Sequence, residues 1–481
     1  MALFERVLGA FAPGLALERA RNRAALNALM HYDAATVGDR AKSWRPVASD
    51  ADGAASKRSR LAYVARDMIR NTPFAVRAQQ VIVNNVIGDG IIWKVRADDA
   101  AATERLRKTF QAHLDTTAID ADGRSNLYGM QRLVMASVVE SGEVFLRRRR
   151  RNLGDGLPLP FQVQILEADY LDTSKDGALA DGNTIREGIE FDGIGRRVAY
   201  WMYTDHPGAS GWSRTGWESR RVPASEILHI YRQDRPGQMR GISWFAPVAL
   251  AMQDLSDYQD AQLVRQKVAA CFAAFRRPSE DEKSGQDVPG LSSSILPGRI
   301  QNLAPGEDIV FASPPKVDGY EEFMRVVLRS CAASFGVTYE ALTGDMSGVN
   351  FSSARMGRME MERTVSSLQW LLMIPQMMQP IAGWLFEAAQ ASTGQKTPRG
   401  LTMEWVPPHR MLVDPTREIP ALRDKIRAGL ASRQGVVREL GFDPEDLLKE
   451  QVEDKRRADA AGLSFESDPP SQQPEVTNAA E

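Results

Sequence analysis

Three carboxylates, Glu167, Asp169 and Asp172, close the alternating segment LPFQVQILEADYLD. Such a group can hold the divalent ions of a two-metal nuclease. No lysine stands near them in nuclease order, and carboxylates at a strand end are commonly just solvated. Other catalytic patterns are missing: there is no GxxxxGK[ST], no HExxH and no GxSxG. The five histidines, at 31, 113, 206, 229 and 409, share no ligand spacing, and His229 lies in an apolar strand where a satisfied core residue is expected. Cys271 and Cys331 form no CxxC pair, which fits two buried free thiols in a reducing compartment and excludes a zinc site built on cysteine pairs. No metal and no cofactor is expected.

The densest charge is Arg147 to Arg151, at the end of SGEVFLRRRRRN. In an extended segment alternate side chains point to opposite faces, so the run cannot be one continuous basic surface. It can touch phosphates, pair with acids of a neighbouring subunit, or end a strand in water. A second feature is GDMSGVNFSSARMGRMEMER, residues 344–363. Its Gly-rich loop offers Asp345, Asn350, Ser352 and Ser353 as hydrogen-bonding groups. Arg355 and Arg358 follow one turn into the next helix, three apart and therefore on one face. That is too little charge for a static, specific DNA binder. It suits a surface that touches a moving polyanion without gripping it, because each neutralised phosphate deepens binding. An ordinary surface loop is the plainer reading.

The elements around these residues follow from periodicity. With 481 residues and 43% apolar content the chain is long enough for several domains with substantial cores. Sixty basic against 62 acidic residues leave a net charge of −2, so any nucleic-acid contact is local. No apolar run reaches membrane-spanning length, and neither a membrane span nor a signal peptide is expected. Residues 1–60 form an arm. Residues 61–245 are mixed α+β, with a helix break at Thr72-Pro73 and a clear hairpin, GIEFDGIGRRVAYWMY, turning at Gly193 to Gly195. VPASEILHIYR is expected as one strand. A helix of about 45 Å spans 246–275. A polar insert with short strands follows, and a second helix runs from a capping box at Asp318 and Glu321 to Gly336. After the loop, Ser352 or Ser353 is expected to cap a helix that kinks at Pro375. Helix–turn–helix segments lead to 450, and 451–481 is expected as a disordered tail.

IRNTPFAVRAQQVIVNNVIGDGI, SGEVFLRRR, ILEADYLDT, REGIEFDGIGRRVAYW, YRQDRPGQMRGISWFAPV, LPGRIQNLAPGED, FGVTYEALTGDMSGVNFSSAR and EWVPPHRMLVDPTRE, in that order, resemble the lambda-type portal proteins of tailed bacteriophages. The resemblance spans about 15–450 and implies the multidomain portal fold. That layout has a wing at 61–245, stem helices at 246–275 and 319–336, and a clip at 276–318. A tunnel loop at 337–353 follows, then a kinked helix and return to the wing at 354–413, and crown helices at 414–450. It implies a structural, non-enzymatic ring of about twelve copies at one capsid vertex, found in the virion and in host cytoplasm during assembly. Expected partners are the terminase large subunit, capsid and scaffold proteins, head-completion or tail-connector proteins, and double-stranded DNA in passing, but no membrane. The channel-facing residues it implies are Thr343, Asp345, Met346, Ser347, Asn350, Ser352, Ser353, Arg355 and Arg358, with Arg299 and Glu307 in the clip toward terminase. The competing classes are a metal-dependent DNA-processing enzyme using Glu167, Asp169 and Asp172, and another virion structural protein such as a capsid or tail-tube subunit.

Overall fold

The computed structural model describes residues 21, 49–53, 57–209, 218–271, 275–277, 308–310, 319–394, 397–408 and 414–463. The chain divides into Met1–Gly53 and Ala54–Glu481, and the elements below belong to the second unit. Two helices come first, α1 (Arg58–Asn71) and α2 (Pro73–Val86). Pro73 separates them at the expected point, because its missing N–H is harmless only in a helix's first turn. Strand β1 (Ile92–Arg96) pairs antiparallel with β12 (Thr402–Val406), setting Trp93 opposite Trp405. Helices α3 (Ala100–Leu114) and α4 (Leu127–Ser141) start at side-chain caps, Asp99 and Asn126.

Gly142 ends α4 at φ 89°, and a Cβ there would lie 2.2 Å from the carbonyl carbon of Ile242. Only glycine fits. The chain then enters a three-stranded sheet of order β3-β2-β9, built from β2 (Glu143–Arg150), β3 (Phe161–Glu167) and β9 (Ile227–Tyr231). A five-stranded antiparallel meander follows in chain order: β4 (Gly177–Ala178), β5 (Thr184–Arg186), β6 (Ile189–Phe191), β7 (Arg197–Tyr203) and β8 (Ser219–Pro223). The expected hairpin is β6–β7. VPASEILHIYR is divided rather than continuous. A 3-10 turn at Ala224–Glu226, following Pro223, sends β8 and β9 to different sheets.

Helices α5 (Ala249–Cys271) and α6 (Tyr320–Phe335) run antiparallel. Phe245 meets Phe335 at 4.9 Å between ring centroids, and Tyr258 meets Tyr320 at 5.6 Å and Phe323 at 5.0 Å. Of the insert between them, the described part is a two-stranded pair, β10 (Phe275–Arg277) and β11 (Asp308–Val310). Arg299, Glu307 and the expected cap Asp318 lie outside the described residues. Helix α6 begins instead behind Gly319, without a side-chain cap.

The span expected as one loop, 337–353, contains a short helix, α7 (Tyr339–Thr343), and the first turn of α8 (Phe351–Leu368). Around Pro375 the helix continues as a π-helix over Gln369–Met378 and then as α9 (Gln379–Thr393). The helix passes Pro375, where a kink was expected, in these wider turns, which draw the preceding carbonyls clear of the proline ring. Helices α10 (Pro415–Arg427), α11 (Arg433–Glu439) and α12 (Pro444–Ala461) complete the chain. Helix α12 overruns the point where the tail was expected. Asp443 caps its first turn through the amides of Glu445 and Asp446, and Arg457 pairs with Glu453 one turn away.

The main core joins α2, α3, α4, the inner sheet face, α6 and α9 through Phe110, Val134, Phe161, Ile230, Cys331 and Ile381. A smaller core lies between the two sheets, around Phe145, Leu166, Ile189, Tyr200 and Val222. No helix among the described residues is long and apolar enough to cross a membrane.

Candidate functional site

Asp345 folds the Gly-rich loop onto itself. Its Oδ1 accepts hydrogen bonds from the Ser347 amide (3.0 Å) and hydroxyl (2.6 Å), and its Oδ2 from the Tyr339 hydroxyl (3.2 Å). Thr343 Oγ1 accepts from the Asp345 amide (3.1 Å) while donating to the Tyr339 carbonyl (2.8 Å). These donors, the Ser347 hydroxyl foremost, hold the Asp345 carboxyl below its ordinary range. The cap of α8 is Asn350, not Ser352 or Ser353. Asn350 Oδ1 accepts from the Ser353 amide (2.8 Å), and Ser353 Oγ accepts from the Asn350 amide (3.1 Å), a reciprocal capping box.

Thr343, Asp345, Ser347, Asn350 and Ser353 therefore engage one another within the turn and the cap, while Ser347, Asn350 and Ser353 stay exposed. Ser352, Arg355 and the methionines Met346 and Met356 are exposed without taking part in that turn or cap. Neither the Ser352 nor the Arg355 side chain makes a hydrogen bond or ion pair among the described residues. Arg358 turns along the helix to Glu362 (3.2 Å).

The platform under the loop is closely fitted. A Cβ on Gly336 would stand 3.1 Å from Thr364 Cγ2, and one on Gly357 3.2 Å from Thr338 Cγ2, so α7 lies tight against α8. Arg77 of α2 donates to the Ala341 carbonyl (3.1 Å), and the Arg329 guanidinium covers the Tyr339 ring (5.4 Å). Sequence reasoning missed these contacts because the partners are far apart in the chain. The Asn350-x-x-Ser353 spacing was a readable signal of the cap.

The three carboxylates do not form one site. Glu167 and Asp169 bind the Arg66 guanidinium at 2.9 and 2.6 Å. His206 comes within ligand reach of both, but Arg66 already supplies the positive charge that a metal would bring. Asp172 has its own partners, accepting from Ser174 (2.5 Å), Tyr203 (2.9 Å) and Ser219 (2.6 Å). The arrangement gives no support to a two-metal centre.

The arginine run alternates as expected. Arg148 enters the main core, bound to Glu387 (2.5 Å) and placed over Phe161 and Trp384. Arg150 pairs with Glu226 (2.6 Å). Arg147, Arg149 and Arg151 take the other face.

His229 is a satisfied core residue. Arg197 donates to its Nδ1 (3.1 Å), which leaves Nε2–H to donate to Glu143 (2.9 Å). Burial pushes His229 down to about 4, against the pull of Glu143. Burial opposes charge on Glu143 as well, yet Arg240 and His229 hold its carboxyl well below the usual range. Glu187, at φ 48°, joins Arg240 (3.3 Å) to Arg58 (2.8 Å). These buried charges brace the two sheets against the loop after β9.

Residues 37–369 match the sequence profile of the phage portal protein, lambda family. The chain is 27% identical over 448 residues to the probable portal protein of Halomonas phage phiHAP-1, covering 88% of this chain and 85% of that protein. It is 23% identical over 487 residues to portal protein B of Escherichia phage lambda, covering 90% of each. Among solved structures it is similar to a chain from the neck of a native GTA particle computed with C12 symmetry. The TM-score is 0.51 at 16% identity, over 83% of this chain and 96% of that one.

Proposed function

The chain belongs to the lambda family of phage portal proteins, and from that premise we propose that about twelve copies close into a ring at one capsid vertex, with the 344–350 loop facing an axial channel for double-stranded DNA. The protein is a structural connector of the virion neck rather than an enzyme. In this reading α5 and α6 form the stem, and the β10–β11 insert is the clip that docks the terminase large subunit. The sheets meet capsid and scaffold proteins, α10 to α12 form the crown, and head-completion proteins bind after packaging. Assembly takes place in host cytoplasm.

The observation that carries the channel reading is the mutual engagement of the loop's polar groups. Asp345, Asn350 and Ser353 already bond within the turn and the cap, so the groups left for a passing duplex are led by the Ser352 hydroxyl, the Arg355 guanidinium and soft methionine side chains. Such contact is weak and blind to sequence. Asp254, Asp257 and Asp260, exposed at three-residue steps on α5, add a row that repels phosphate. Exposed Leu263, Val264 and Val326 supply apolar surface for the neighbouring copy.

Electron microscopy of the purified protein, with mass from light scattering, tests the ring. Closed rings with an axial opening are expected, and a small oligomer without a hole would refute it. Ser352→Ala with Arg355→Gln tests the loop. Rings should persist while the length or retention of packaged DNA falls, and normal full heads would rule out channel contact.

A further inference from the structure

The face of β2 that carries Arg147 and Arg149, continued by Arg151 just past the strand's end, is not used by the channel reading. Its charges are treated differently from those on the opposite face. There Arg148 and Arg150 each have a carboxylate partner, Glu387 and Glu226. Arg149 and Arg151 are held by neutral amides instead. Gln164 Oε1 accepts from Arg149 Nε (2.8 Å) and Nη2 (2.5 Å), and Gln162 Oε1 accepts from Arg151 Nε (2.8 Å). Neither arginine makes an ion pair among the described residues. Gln162 is itself fixed, since its Nε2 donates to the carbonyls of Ala118 (3.1 Å) and Asp120 (2.9 Å). Its oxygen is thereby aimed at Arg151.

The result is a pair of oriented guanidiniums whose charge is left uncancelled. Burial, and then the neighbouring cation, lowers both Arg147 and Arg149. Arg149 feels Arg151, whereas Arg147 sits among Arg149, Arg220 and Glu226. Strand geometry spaces i and i+2 side chains by about 6.7 Å, so each guanidinium can meet its own anion. Arg151 uses only Nε on its glutamine, which leaves both terminal nitrogens for a bidentate contact.

We propose that Arg149 and Arg151, braced by Gln164 and Gln162, form a second contact for duplex DNA, binding its phosphate backbone outside the channel loop. The alternative occupant is an acidic protein surface. The strip argues against it, being mainly arginine and glutamine with Tyr170 beside Arg149, and without the broad apolar centre that protein interfaces carry. Arginine and glutamine are both ordinary donors to phosphate oxygens. This inference does not rest on the channel reading, because the strip and the loop are separate sites.

The test is anisotropy of a short fluorescein-labelled duplex of mixed sequence on the assembled full-length protein, with its mass measured alongside. Arg149→Gln with Arg151→Gln should weaken binding roughly tenfold at low salt and reduce the slope of log K against log salt by about 2. The same change should occur when the loop also carries Ser352→Ala and Arg355→Gln, which separates the strip from the channel. Unchanged affinity and slope would overturn the proposal. Loss of assembly with duplex affinity unchanged would mark an acidic protein occupant and also overturn it. A measurement on the wild type guards against misfolding of the variant. Duplex DNA should protect Arg149 and Arg151 from phenylglyoxal, read by mass spectrometry, and equal modification with and without DNA would refute the site.

Discussion

Asn350 and Ser353 satisfy each other's backbone amides with their side-chain oxygens, at 2.8 and 3.1 Å. Removing an N-cap oxygen costs about 1 kcal/mol. Asn350→Ala should therefore lower stability by about that amount and speed amide exchange over 351–354, while Ser352→Ala leaves both unchanged. Thermal unfolding and hydrogen exchange by mass spectrometry check the pair.

Gly142 admits no side chain. Its φ is 89° and a Cβ would strike the Ile242 backbone at 2.2 Å. Gly142→Ala should cost more than about 3 kcal/mol and abolish soluble assembly. Gly154, with open space around it, should accept alanine with little change. Soluble yield and unfolding temperature decide between them.

Acid should weaken the fold through His113. This ring is fully buried against Phe161 (5.0 Å), neither nitrogen has a partner among the described residues, and burial lowers it from 6.5 to about 4. A depressed basic group binds fewer protons folded than unfolded. The stability it permits is intact above pH 6.5 and is lost as the pH falls toward 4. Between pH 7 and 5 the loss should be about 2 kcal/mol. Denaturant unfolding at the two values should show it in the wild type, and show it reduced by that amount in His113→Leu.

Lys94 fastens the C-terminal helices to the sheet. Its ammonium meets Asp443 at 2.6 Å and Glu445 at 3.0 Å, beside Arg96 and Glu445 at 3.0 Å. Lys94→Met should raise amide exchange over 443–450 with a change of under about 1 kcal/mol in global stability. High salt should partly reproduce the effect in the wild type. Exchange equal to wild type in the variant would show that other contacts seat α12.

The order helix, insert, helix, loop, long helix was legible because apolar spacing and Gly336 announce it. The partners of the loop's polar groups were not. Asp, Asn and Ser are the residues of turns and caps as well as of phosphate contacts, and only geometry separates the uses. The strand alternation that divides Arg147–Arg151 could be read from spacing. The partners could not, since Glu387 lies in a helix more than two hundred residues away. Helix α12 escaped notice past 450 because it is sustained by charge pairs rather than an apolar stripe. Pro223, before a short turn, was the available sign that β8 and β9 part company.

The π-helical stretch sets an angular phase between the two limbs of the long helix. Its 10 residues, Gln369–Met378, would make nearly three turns at about 3.6 residues each, but make little more than two at the wider pitch. The faces of α8 and α9 are therefore offset by roughly half a turn from those of an uninterrupted α-helix. Gln369, donating to the Val86 carbonyl at 2.8 Å, and Gln376, accepting from the Tyr231 amide at 3.0 Å, lock that offset near both ends. The azimuth of Arg355 is thus fixed by counting residues back from these two glutamines. One residue added to α8 would swing it by about 100° while α9 stayed seated.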